Sequence, residues 1–186
     1  MTNETLALIS SRRSHRAYTA APLTQEQQDA ILRAAVEAPS AVNRQLWHFS
    51  VVTNQALLDE INAATRENVM KRAPEQRSPR FADSQFHVFY HAPTVIFLSA
   101  QPGSVYAPID CGIAVENIAL AAESLGLGSV ILGMPREAFQ TERADALRRA
   151  LQFPEGYDFV IAIAVGVPAD TKDAHPVGEG KISFVD

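Results

Sequence analysis

Two clusters of hydrogen-bonding side chains stand out in this sequence. The first is Arg12-Arg13-Ser14-His15-Arg16, three guanidinium groups and a hydroxyl within five residues. Arginine's rigid planar donors match a phosphate in a way that lysine only partly does. Arg12 and Arg16 are four apart, so a helix running through them would set both on one face. The second cluster, Ser40, Asn43, Arg44 and Gln45, fills a loop between a helical pattern that stops at Pro39 and a β-type run that starts at Trp47. That is a dense set of donors and acceptors between two apolar elements. Serine and asparagine in such a connection can equally make local turn bonds.

Other constellations do not assemble. His15, His48, His87, His91 and His175 show no metal-ligand spacing with carboxylates or with Cys111. No Gly-x-Ser-x-Gly elbow or phosphate-binding Walker loop is present, and no acid–base pair announces itself. Gly126 and Gly128 follow a helical pattern and open a strand, the reverse of a dinucleotide fingerprint, so they read as a helix stop and a tight turn. Asp110 reads as a charge at a helix N-terminus, and Cys111 and Trp47 read as core.

The elements that must carry these clusters follow from periodicity. A short helix is expected over 3–11. Thr24 with Gln27 three residues on is the spacing of a capping box, opening a helix that puts Ile31, Leu32, Ala35 and Val36 at helical spacing. A strand over 47–53 and an amphipathic helix over 57–69 come next. Periodicity vanishes over 71–84, where Pro74, Pro79 and basic residues mark a long loop, either a lid or a disordered stretch. Phe81, Phe86, Phe89 and Tyr90 at its far end could pack in the core or wall a pocket. The continuous run Thr94-Val95-Ile96-Phe97-Leu98 looks like a strand buried on both faces. The longest helix spans 108–125 and closes at Gly126. Strands over 129–132 and 159–167 flank a helix over 141–151, and a strand-like end covers 181–185. Alternating helices and strands indicate one α/β or α+β domain with a central sheet.

Composition narrows the partners. A net charge of −5 argues against a general nucleic-acid binder, which needs a basic face. Basic clusters on an acidic chain suit a small anion better than a polyanion. The single cysteine allows no disulfide within the chain, so a reduced, cytoplasmic setting is expected. The N-terminus lacks a basic-then-apolar leader pattern, and the longest apolar run, 159–169, is too short to span a bilayer, so no membrane partner is expected.

Ala38-Pro39-Ser40 followed by Asn43, Gln45 and Trp47, with Arg12-Arg13-Ser14-His15-Arg16 upstream, resembles the signature of the FMN-dependent nitroreductase family. Two motifs in the right order are more specific than either alone, and the resemblance extends over nearly the whole chain. It implies one domain over 1–186 with a nitroreductase-like α/β (α+β) sandwich. A central mixed sheet would be flanked by helices, with the C-terminal tail reaching the partner subunit of a homodimer. FMN would lie at the interface. Arg12 and Ser14 would grip its phosphate and ribityl chain, with Arg13 in the same set, and Lys181 would complete the phosphate site. Arg16 would reach the pyrimidine end, where positive charge raises the flavin's potential. Pro39, Ser40 and Asn43 would serve the flavin bound mainly by the other subunit, with Gln45 holding the loop. Ile131, Leu132 and Gly133 would offer backbone groups to the isoalloxazine.

The activity implied is ping-pong hydride transfer from NADH or NADPH through flavin N5 to a small electron-poor acceptor such as a nitroaromatic or quinone. The same fold also implies alternatives, such as a reductive dehalogenase or a non-catalytic FMN storage or sensing protein. A non-flavin module binding another phosphate stands outside the resemblance. Two departures stand out: Leu46 replaces the usual proline before the tryptophan, and Lys181 lacks the arginine that often accompanies it.

Overall fold

In this computed structural model, which describes residues 3–185, helix α1 (Glu4–Ser11) starts at Asn3, whose side-chain oxygen accepts from Leu6 N–H at 2.9 Å. It ends at Ser11, and Arg12 already has extended backbone (φ −51, ψ 132). Arg12 and Arg16 therefore do not share a helical face. The segment after α1 runs along a strand instead, as described below. Helix α2 (Gln25–Val36) carries both halves of the capping box: Gln27 N–H donates to Thr24 Oγ1 and Thr24 N–H to Gln27 Oε1.

Strand β1 (Trp47–Val52) leads through an Asn54 cap into α3 (Gln55–Met70), which buries Leu58, Ile61 and Ala64. The stretch 71–84 is neither open lid nor formless. It makes two 3-10 turns, Pro74–Gln76 and Pro79–Ala82, and buries Phe81. The Arg66 guanidinium binds it by donating to the carbonyls of Phe86 (2.8 Å), Asp83 (3.1 Å) and Phe81 (3.5 Å). Phe81, Phe86 and Tyr90 meet edge to face and pack with the core.

Strand β2 (Thr94–Ala100) is buried at every position. Helix α4 (Ala107–Ser124) ends where Gly126 takes φ +71, a conformation that costs other residues. Strand β3 (Gly128–Leu132), a 3-10 stretch (Met134–Gln140), α5 (Ala144–Ala150) and β4 (Asp158–Gly166) complete the order.

The sheet order is β1-β2-β4-β3, and each neighbouring pair is antiparallel. The α/β class holds, but the expected mixed sheet is antiparallel across its four strands. Its parallel pairing among the described residues is one isolated bridge, Ser14 to Ser129. The apolar run of β2 reports burial on both faces, which parallel crossovers usually create. Here helices cover both faces of an antiparallel sheet. Phe97 joins α3 and α5 residues such as Leu58 and Leu147 on one side. Ile96 and Leu98 join Ile31 of α2 and Ile118 of α4 on the other.

The strand-like end over 181–185 does not form a strand in the described chain, and Ile182, Phe184 and Val185 are exposed. A strand needs a neighbour for its backbone hydrogen bonds, and none lies beside this one among the described residues.

Candidate cofactor site

The basic segment leaves α1 and lies along the start of β3. His15 N–H donates to Ser129 O at 2.9 Å, and Tyr18 bridges to Pro168 after β4. This brings Arg12, Arg13, Ser14 and Arg16 together with Lys172 and His175 around a recess of about 290 Å³. Arg13 Nη1 donates to the carbonyls of Ser10 and Arg12, both at 2.7 Å, and Arg16 Nη1 to Ser14 O at 3.3 Å. The Nε atoms of Arg13 and Arg16 are buried without a partner. Buried donors are normally satisfied, so these two are unusual, and the recess beside them, lined by three guanidinium groups, Lys172, His175 and the Ser14 hydroxyl, fits an anion. Arg12 Nε lies 3.4 Å from Glu116 of α4.

Asp170 fastens this segment. One carboxylate oxygen meets His15 Nδ1 at 2.7 Å; the other accepts from Arg16 N–H at 3.2 Å and lies 3.1 Å from Lys172 Nζ. The His15 ring packs on Gly128, where an added Cβ would lie 2.9 Å from His15 Cγ. Burial raises the Asp170 carboxyl's pKa, but the hydrogen bonds from His15, Lys172 and the Arg16 N–H outweigh it and hold the carboxyl below its ordinary value. A depressed folded pKa adds stability that is present above the ordinary aspartate range and is lost as pH falls through the folded value. Asp170→Asn is therefore expected to lower unfolding stability at neutral pH by about 1 kcal/mol after allowance for solvent screening. Denaturant titrations should show that difference closing as pH falls into the acid range. A gap that stays constant down to acid pH would assign the effect to packing. Burial, then the Asp170 charge, raises the Tyr18 hydroxyl's pKa, so it stays a neutral donor to His15 O at 2.9 Å.

The second cluster is a strained turn. Val42, Asn43 and Gln45 have φ of 54, 54 and 50, a left-handed region that non-glycine residues enter at about 1–3 kcal/mol each. The expected local bonds are present: Gln45 N–H donates to Ser40 Oγ at 3.0 Å and Gln45 Nε2 to Asn43 Oδ1 at 2.8 Å. Val42, β-branched and 94% exposed, stands at the tip. Asp110 of α4 reaches this loop, its two carboxylate oxygens 3.2 and 3.3 Å from the Ala41 N.

Within one chain the two clusters do not form one site. Pro39, Ser40, Asn43 and Gln45 do not line the recess at 12–16, and Lys181 lies in the exposed tail rather than in the cluster. Ile131 and Leu132 end the strand whose start meets Ser14, roughly 10 Å further along at strand rise. Leu132 is core, Ile131 is partly exposed, and Gly133 has no side chain to block its backbone. Sequence reasoning missed Lys172 and His175 around the recess, the Asp170 that fastens its segment, and the Asp110 contact to the loop. A carboxylate on the apolar face of a long helix was the available signal for Asp110, and the charge run after the last strand was the signal for the others. Among the described residues no three His, Cys, Asp or Glu side chains gather to hold a metal, and no helix is long and apolar enough to cross a membrane.

Residues 9–167 match the sequence profile of the Nitroreductase family. A protein of Archaeoglobus fulgidus, assigned as an NADH dehydrogenase/NAD(P)H nitroreductase, is 37% identical over 171 residues, covering 91% of this chain and 88% of its own length. An FMN reductase (NAD(P)H) of Bacillus subtilis is 30% identical over 182 residues, covering 94% of this chain and 70% of that protein. The crystal structure of a nitroreductase with bound FMN from Desulfitobacterium hafniense superposes with a TM-score of 0.94 at 35% identity over the full length of both chains.

Proposed function

Because this chain belongs to the nitroreductase family, we propose that the recess at residues 12–16 receives the phosphate of FMN. The protein is an FMN-dependent NAD(P)H oxidoreductase. The observation that carries the assignment of the site is the convergence of Arg12, Arg13, Ser14, Arg16, Lys172 and His175 on one recess. Arg12, Arg13 and Ser14 hold the phosphate and the ribityl chain. Lys172 and His175 complete the recess from the segment after β4, and Lys181 adds charge from the tail. Arg16 extends toward the pyrimidine end. The edge at Ile131, Leu132 and Gly133 offers backbone groups to the ring. Bound there, FMN supplies the redox chemistry, taking a hydride from NADH or NADPH and passing it to an electron-poor acceptor such as a nitroaromatic or quinone. The chain contributes binding, orientation and positive charge.

The site is completed by a second copy. Ser40 and Asn43 lie outside the recess of their own chain, so we assign their loop, with Pro39 and Gln45, to the flavin of the partner in a homodimer. The exposed apolar residues Ile109 and Ile113, one turn apart on α4, and Leu6 and Ile9 on α1 support such a contact. Both cores share one sheet, so we take the chain as a single domain. The single buried Cys111 fits a reducing cytoplasm.

The test is a visible spectrum of the purified protein under anaerobic addition of NADH, then NADPH. A flavin spectrum that bleaches with one of them and recovers on adding a nitroaromatic or quinone is expected. Flavin that stays oxidised would point to storage or sensing, and protein that takes up no FMN would remove the assignment. Arg16→Ala is expected to lower the flavin's midpoint potential by on the order of 30 mV, equal to about 1.4 kcal/mol for a two-electron couple. The oxidised flavin's affinity should change less than that. Redox titration giving the wild-type potential would take Arg16 away from the ring.

A further inference from the structure

We infer that Asp110 is a positioning residue: through the Ala41 N–H it holds the strained loop at residues 40–45 in the shape that meets the FMN of a second copy. The inference rests on the flavin reading above. Asp110 lies in the first turn of α4, 4% exposed, among the buried neighbours Ala107, Cys111 and Ala114. A buried carboxylate costs free energy unless donors compensate it. Here the compensation is the Ala41 N–H, 3.2 and 3.3 Å from the two oxygens, and the positive end of the helix. For packing alone, an apolar residue at this position would avoid that cost.

The loop explains the charge. Among the described residues, every other hydrogen bond of the loop stays inside it: Asn43 N–H to Ser40 O, Arg44 N–H to Ala41 O, Gln45 N–H to Ser40 Oγ, and Gln45 Nε2 to Asn43 Oδ1. Asp110 is thus the one hydrogen-bonded anchor from this loop to the rest of the described residues. Three non-glycine residues with positive φ sit just beyond that anchor. A turn with this much strain relaxes unless something outside it holds one end.

The test uses the full chain, with and without FMN. It reads amide hydrogen exchange over residues 38–47 and FMN binding by flavin fluorescence. Asp110→Ala should speed exchange at Ala41 and its neighbours and weaken FMN binding by about tenfold or more. Asp110→Asn keeps an acceptor oxygen of the same size and should stay within about threefold of wild type. Ala41→Pro removes the donor at the first position of a 3-10 turn, after an extended Ser40 that tolerates proline, and should repeat the loss even where Asp110→Ala does not fold. If both act through one bond, the double variant binds no worse than the weaker single. Wild-type FMN affinity in Asp110→Ala despite faster exchange would overturn the cofactor role, and unchanged exchange would overturn the anchor. A wild-type protein that takes up no FMN would instead defeat the flavin reading, and with it the cofactor role, while exchange still reports the anchor separately.

Discussion

Replacing Arg12 with alanine is expected to weaken FMN binding by about 1.5–3 kcal/mol, the range for hydrogen bonds to charged groups. That is roughly a ten- to hundredfold rise in Kd. Two changes combine. The phosphate loses a planar, charged donor, and Glu116 of α4, now 3.4 Å from Arg12 Nε, loses the cation that neutralises it near the recess. Arg12→Lys should recover part of the loss, since it restores the charge without the planar fork. The difference between Lys and Ala should shrink at high salt, where the point charge is screened. Fluorescence titrations at two ionic strengths measure both effects. Wild-type affinity in Arg12→Ala would remove Arg12 from the site.

Phe97→Ala should destabilise the fold by about 3–5 kcal/mol, the range for deleting a buried aromatic ring. Thermal midpoints should fall by roughly 6–20 °C, at about 2–4 °C per kcal/mol for a chain of this size. Phe97 is fully buried on the central strand β2, which pairs with both β1 and β4. Its ring meets Phe89 at 5.6 Å and Phe159 at 6.2 Å, both edge to face, and Phe159 stacks on Phe139 at 5.0 Å. Deleting the ring opens a cavity in this chain of packed aromatics. Below its melting point the variant should bind FMN with near-native affinity, because Phe97 does not line the recess. A midpoint within about 2 °C of wild type would mean that the core refills.

These two residues also separate what the sequence determined from what the fold decided. Sequence alone determined several elements and some of their ends. Thr24 and Gln27 open α2, Gly126 closes α4, and the β-branched run from Thr94 is a two-sided buried strand, because each depends on backbone sterics and hydrogen bonds within a few residues. The resemblance carried by Arg12–Ser14 and Pro39–Asn43 was likewise legible, since it lies in residue types and order. The turn chemistry of Ser40 and Gln45 was local as well.

Tertiary structure decided how these elements meet. The antiparallel order β1-β2-β4-β3 needs pairings between distant strands, and a run of apolar residues cannot say which neighbour it will find. The 71–84 stretch has no periodicity, so its order comes from tertiary contacts such as Arg66 donating to the Phe81 and Asp83 carbonyls. Arg12 and Arg16 look like one helical face until α1 stops at Ser11 and the segment pairs with β3. Lys172 and His175 join the recess, and Asp170 fastens it, only because His15 meets Asp170 across 155 positions. Asp110 reaches Ala41 across 69 positions. The 181–185 end kept its strand-like pattern without forming a strand, because a strand's hydrogen bonds lie on its neighbours and none flanks it among the described residues.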